Sequence, residues 1–174
     1  MNKMLNFLGS VFKGKESETL KNLEKLKILL VEDNAINQVI AEKMLLKDKC
    51  KPDIANNGKE ALKMLKENHY DVILMDIKMP IMDGYEATKI IREKFPKPAN
   101  QTPIIALTAY LSLEEKEKYL DAGMNDCISK PLDITVLKNS IGDILSCNQK
   151  KESVSIKNER SIGFSLPVLT AIFK

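Results

Sequence analysis

Five side chains with the chemistry to handle charged oxygens stand directly after, or close, short apolar runs in this 174-residue chain. Glu32 and Asp33 follow KILLV (27–31), Asp76 follows VILM (72–75), Thr108 sits in PIIALTA (103–109), and Lys130 follows CIS (127–129). Carboxylates crowded together repel unless a cation joins them. Hard oxygen ligands with room left for water suit Mg²⁺, which takes carboxylates plus phosphate oxygens. A lysine ammonium supplies a fixed positive charge and a threonine hydroxyl a donor, which is what the oxygens of a phosphoryl group require. An aspartate beside a metal can also act as a nucleophile and form an aspartyl phosphate. Each residue alone has a plainer reading: loop acids near a helix N-terminus, a turn aspartate, a solvated lysine. Their shared placement at strand ends makes coincidence the poorer account.

The elements that must position them follow from periodicity. After KILLV, residues 35–48 carry Ile36, Val39, Ile40, Met44 and Leu45 at the spacing of an amphipathic helix. DIA (53–55) reads as a short strand, and Gly58 to Asn68 as a helix with Ala61, Leu62 and Leu65 on one face. VILM is the next strand, Tyr85 to Lys94 a helix after a Pro- and Gly-marked loop, and PIIALTA a strand. Residues 112–121 form a highly charged helix, CIS a short strand, and 133–146 a closing helix. Five β–α repeats predict a doubly wound parallel α/β sheet with helices on both faces, and ligands of such sheets gather beyond the carboxyl ends of the strands. The five side chains therefore converge on one mouth.

Charge divides the chain further. Its net charge is +3, but residues 1–27 and 147–174 each contribute +3, whereas 28–146 sum to −3. An acidic body with basic ends does not fit a nucleic-acid-binding domain with one basic face. No run approaches the ~18 apolar residues of a membrane span. Cys50, Cys127 and Cys147 form no C-x-x-C pair, so a zinc site or disulfide framework is not expected, and a reducing cytoplasm suits the chain. The division is an N-terminal amphipathic or linker segment (1–25), a central domain (26–147) and a flexible C-terminal tail (148–174). For residues 1–15, contact with a membrane surface is the lesser reading beside packing on the domain or a partner. A secretory signal is not indicated, because Asn6, Gly9 and Ser10 interrupt the apolar stretch.

The strings VEDN (31–34), MDIKMPIMDG (75–84), ALTA (106–109) and SKP (129–131) resemble, in order and spacing, the motifs of the response-regulator receiver domain of two-component and phosphorelay signalling. The resemblance covers about residues 26–147, and VEDNAINQ and MDGYEAT are most similar to receivers of hybrid kinases and phosphorelays. It implies a flavodoxin-like fold with strand order 2-1-3-4-5. It also implies Asp76 as phosphoacceptor and Mg²⁺ held by Glu32, Asp33, Asp76 and the Lys78 backbone carbonyl. Thr108 and Lys130 would contact the phosphoryl oxygens, and the Lys130–Pro131 bond would be cis. The phosphoryl donor would be a phosphohistidine on a histidine kinase or histidine phosphotransfer protein, and the output another protein. No nucleic acid is expected as partner, and no enzymatic turnover beyond slow autodephosphorylation. Two departures stand out. Cys127 occupies the position where the family often has Tyr or Phe, and only the short tail is read where an output domain would follow.

Two rival readings fit these residues less well. An aspartate-nucleophile phosphohydrolase usually carries a second acid two residues after the nucleophile, and here Lys78 stands there. A pseudo-receiver binding module would not need the intact acids with Thr108 and Lys130. His69, the sole histidine, reads as a loop residue, and Met75, Met79 and Met82 read as packing rather than metal ligands.

Overall fold

The structure, a computed structural model, describes residues 23–146. The N-terminal segment up to residue 22, Cys147 and the tail over 148–174 lie outside the described residues. Strands β1 (Ile28–Val31), β2 (Asp53–Ala55), β3 (Val72–Asp76), β4 (Ile104–Thr108) and β5 (Asp126–Ser129) form one parallel sheet in the order β2-β1-β3-β4-β5. Helices α1 (Ala35–Leu46), α2 (Gly58–Glu67), α3 (Gly84–Lys94), α4 (Leu113–Asp121) and α5 (134–146) alternate with the strands.

Strands covered on both faces must be apolar throughout, and β1, β3 and β4 are buried at every position. Their side chains alternate between two cores. Leu29, Val31, Ile73, Met75, Ile104 and Ala106 face Ala61 and Leu65 of α2, Ala87 and Ile91 of α3, and Tyr119 of α4. Ile28, Leu30, Val72, Leu74, Ile105 and Leu107 face Ala41 and Leu45 of α1 and Leu137 and Ile141 of α5. Leu23, in a short 3-10 turn ahead of β1, also enters this second core.

The helix starts are written in short polar side chains that satisfy free N–H groups of the first turn. Asn34 accepts from Ile36 and Asn37, Asn57 from Glu60, Asp83 from Glu86, Ser112 from Glu115, and Asp133 from Thr135 and Val136. Glu60 reaches back to accept from the Asn56 N–H at 2.9 Å, which ties the residue ahead of the cap to the first turn of α2.

One expectation is corrected. Of the periodic apolar residues of α1, Leu45 is buried, but Ile36, Val39 and Ile40 are 71%, 46% and 49% exposed. The face turned to the sheet is Ala41 and Leu45, and in the first turns it is polar, with Asn37 and Gln38 bonded to Glu32. Apolar periodicity marked an apolar stripe, but the site claimed the inner face of the helix for hydrogen bonding.

Candidate functional site

The topology fixes where the acids meet. β1 lies between β2 and β3, so the order in which strands are added reverses at β1, which opens a crevice at the carboxyl ends of β1 and β3. Val31 pairs in register with Met75, which sets Glu32 beside Asp76. Glu32 stays fixed to the sheet through its N–H, which donates to the Ala55 carbonyl at 3.0 Å. Asp76 is the last residue of β3, opposite Leu107 of β4. Thr108 ends β4 opposite Ser129, and the Lys130 N–H donates to the Thr108 carbonyl at 2.7 Å. The Lys130–Pro131 bond is cis, as the family resemblance implied.

Carboxylate oxygens of Glu32, Asp33 and Asp76 lie within 4.8 Å of one another. Glu32 and Asp76 are 2% and 6% exposed, whereas Asp33 faces solvent. The Lys130 ammonium bridges the buried pair, 2.6 Å from Glu32 Oε2 and 2.7 Å from Asp76 Oδ2. Burial pushes the Asp76 carboxyl above its ordinary value; Lys130 opposes that rise and Glu32 adds to it. Burial pulls on Lys130 in the opposite sense, but its contacts with Asp76 and Glu32 outweigh it and hold the ammonium above its ordinary value. Three carboxylates against one ammonium leave a net negative, all-oxygen cluster open to solvent at Asp33. That donor set fits a hard divalent cation.

Residues that sequence reasoning did not single out complete the frame. Asn37 donates to Glu32 Oε1 at 2.9 Å, and Gln38 donates to the Glu32 carbonyl at 2.6 Å and to Asn56 at 3.0 Å. The signal for them was their place at the end of VEDNAINQ, in the first turn of the helix that follows the acids. The loop after β3 folds back over Asp76. The Lys78 N–H donates to Asp76 Oδ1 at 3.3 Å, and the Gly84 N–H donates to the Ile77 carbonyl at 3.0 Å. A Cβ at Gly84 would lie 2.0 Å from the Asp76 carbonyl oxygen, so only glycine permits this approach. Ile81, at the tip of that loop, has φ +73° and is 77% exposed, a strained conformation for a β-branched residue. Thr108 is buried, and its hydroxyl donates to the Tyr110 carbonyl at 2.8 Å.

The remaining singled-out residues lie away from this chemistry. His69 is exposed, with its ring 3.9 Å from Asp71. Met75 is buried in β3, and Met79 and Met82 pack on the same core. Cys50 and Cys127 are buried free thiols. Among the described residues no helix is long and apolar enough to cross a membrane.

This fold and this site define a class. The family model described as response regulator receiver domain matches residues 28–142, and the chain belongs to that family. The chain is 37% identical over 139 residues to the aerobic respiration control sensor protein ArcB of Escherichia coli, covering 80% of this chain and 18% of that protein. It is 45% identical over 121 residues to hybrid signal transduction histidine kinase G of Dictyostelium discoideum, covering 68% of this chain and 4% of that protein. The chain thus spans less than a fifth of the length of either relative.

Among solved structures, the receiver domain of a sensor histidine kinase from Pseudomonas aeruginosa superposes with TM-score 0.61 at 39% identity, covering 67% of this chain and 93% of that one. That structure has a magnesium ion coordinated in its active-site cleft. A Saccharomyces cerevisiae receiver domain, crystallised with a histidine phosphotransfer signalling protein, superposes with TM-score 0.60 at 37% identity, covering 67% and 86%.

Proposed function

We propose that the domain, taken as residues 26–147, accepts a phosphoryl group on Asp76 from a phosphohistidine of a histidine kinase or histidine phosphotransfer protein. The observation that carries this reading is the buried Asp76 carboxylate, held between Lys130 at 2.7 Å and the acids Glu32 and Asp33. A carboxylate oxygen of Asp76 attacks phosphorus in line as the P–N bond of the donor breaks. The electron pair leaves on the imidazole nitrogen, which takes up a proton from water. Lys130 turns from Asp76 to the incoming phosphoryl oxygens and offsets their charge, so the catalytic work is positioning and electrostatics. Glu32, Asp33, Asp76 and the Lys78 carbonyl are the residues that would hold Mg²⁺, which supplies further charge neutralisation when bound. Thr108 is the hydroxyl placed to bind the transferred group, exchanging its bond to Tyr110 for one to a phosphoryl oxygen.

The partner face follows from α1. Ile36, Val39 and Ile40 form an exposed apolar stripe that begins beside Asp33, at the edge of the mouth. A helical phosphotransfer protein that seats on this stripe brings its histidine over Asp76. The yeast complex, a receiver crystallised with a histidine phosphotransfer protein, supports a partner of this kind. Buried free thiols support a reducing, cytoplasmic setting. The domain is a phospho-acceptor whose only turnover is slow loss of its own phosphoryl group. Incubation with acetyl phosphate and Mg²⁺, followed by intact-mass measurement, tests the reading. The wild type gains one phosphoryl group and Asp76→Asn gains none; equal labelling of both overturns the assignment.

A further inference from the structure

Glu32 is fixed by hydrogen bonds at both its main chain and its side chain, and two neighbours in the first turn of α1 divide that task. The Gln38 amide donates to the Glu32 carbonyl at 2.6 Å and holds the main chain. The Asn37 amide donates to the side chain, at Oε1 and 2.9 Å. The other donor to Oε1, the Asn34 N–H, is longer at 3.3 Å. Oε2 accepts from the Lys130 ammonium at 2.6 Å. The Asn34 cap in turn accepts from the Asn37 N–H at 3.2 Å, which sets where the Asn37 side chain starts. Packing alone does not confine the carboxylate. A space of about 70 Å³ lies beside Glu32, lined also by Asn37, Ile40, Leu107, Lys130 and Leu132. A buried carboxylate next to such a space keeps its place only while its donors hold it.

Asp76 has the opposite need. Both of its carboxylate oxygens are engaged: Oδ1 accepts from the Lys78 N–H at 3.3 Å, and Oδ2 pairs with Lys130 at 2.7 Å. An oxygen that attacks phosphorus has to offer a lone pair, and an ammonium resting on it withholds one. The second partner of Lys130 is what draws it away. Its distances to Glu32 and Asp76, 2.6 Å and 2.7 Å, are those of a cation shared evenly between two acids. Once Glu32 turns aside, into the space next to it or toward the mouth, the ammonium is left on Asp76 alone.

We propose that Asn37 is a positioning residue for phosphoryl transfer: by fixing Glu32 it keeps Lys130 divided between the two acids and leaves Asp76 free to attack. This rests on the reading of Asp76 as phosphoacceptor. The same bond weakens the hold of the site on a cation. Oε1 accepts from Asn37 and Asn34 and Oε2 from Lys130, so only part of the capacity of Glu32 is left for a metal. Loss of the Asn37 amide therefore acts in two directions. It returns Glu32 to the cation and gives Lys130 wholly to Asp76, so metal binding holds while phosphorylation slows. Removal of a side chain that only supported the fold would weaken both.

The test uses the full chain as wild type, Asn37→Ala and Asn37→Ser. The serine hydroxyl is one bond shorter than the Asn37 amide, so it keeps a polar first turn without reaching Glu32. Mg²⁺ is titrated by amide NMR with no phosphodonor present, and the rate of labelling by acetyl phosphate is then followed by intact mass at saturating Mg²⁺. Both variants should bind Mg²⁺ at least as tightly as the wild type, while their labelling rate falls about tenfold. Asn37→Ser gives the comparison if Asn37→Ala does not fold. A folded variant that labels at the wild-type rate overturns the proposal. So does one whose Mg²⁺ affinity and labelling rate fall together, the mark of a structural role. A wild type that binds Mg²⁺ but gains no phosphoryl group overturns the reading of Asp76, and the role of Asn37 with it.

Discussion

Replacing Asp76 by Asn should make the metal-free protein more stable, because the buried Asp76 carboxylate is held at a loss. At an effective dielectric of about 20, two unit charges 4.8 Å apart repel by about 3.5 kcal/mol, and a pair 2.7 Å apart attracts by about 6 kcal/mol. Asp76 faces two carboxylates and a single ammonium that it shares with Glu32, so repulsion largely offsets attraction. Lost hydration is then uncompensated, in keeping with burial as the main cause of the raised Asp76 value. Asp76→Asn removes that charge and leaves Lys130 paired with Glu32 at 2.6 Å. Urea unfolding at neutral pH in chelator should show a gain on the order of 1 kcal/mol. Because the folded-state value of Asp76 is raised, protonation favours folding, and the wild type loses that stability as pH rises through the raised value. The gap between the proteins should therefore close as pH falls toward about 4. Mg²⁺ at tenfold excess over its dissociation constant should stabilise the wild type by about 1.4 kcal/mol, and Asp76→Asn by less. A variant less stable than the wild type in chelator, or one with an undiminished Mg²⁺ increment, would refute this electrostatic account.

Other perturbations probe other parts. Ile81→Asn relieves a positive φ at an exposed position and should stabilise the domain by about 0.5–1 kcal/mol in urea unfolding; a loss of stability would mean that Ile81 contributes packing instead. Gly84→Ala drives a methyl into the Asp76 carbonyl and should destabilise by about 2 kcal/mol or more while slowing acetyl-phosphate labelling, and an unchanged melt would contradict the close approach. Ile36→Asp and Ile40→Asp should each weaken binding to a histidine phosphotransfer protein about tenfold, or about 1.4 kcal/mol, with labelling by acetyl phosphate unchanged. Unaltered affinity in titration calorimetry would move the docking face elsewhere.

The site was legible because parallel strands buried on both faces are unbroken apolar runs, so the first charged residue after each marks its carboxyl end. Asp76 after VILM and Glu32-Asp33 after KILLV are of this kind. The inner face of α1 was not legible. Its periodic apolar residues Ile36, Val39 and Ile40 point outward, and Asn37 and Gln38 point inward because Glu32 needs donors there. Periodicity reports where apolar residues lie, not which side the sheet is on. Tyr119 was hidden for a related reason. A helix with one buried residue carries no repeating pattern, and a tyrosine among Glu and Lys takes its place from the core it shares with Met75 and Ala106, which are distant in sequence.

The central claim is a covalent bond between phosphorus and one carboxylate, and reductive trapping tests it most directly. The protein is phosphorylated with acetyl phosphate and Mg²⁺, treated with borohydride, digested and sequenced by tandem mass spectrometry. Borohydride reduces an acyl phosphate to the alcohol and leaves free carboxylates intact. The account requires homoserine at position 76 in the peptide that carries MDIKMPIMDG, with Glu32 and Asp33 unchanged. Homoserine at another aspartate with Asp76 intact, or a phosphoryl group retained after reduction, would contradict it.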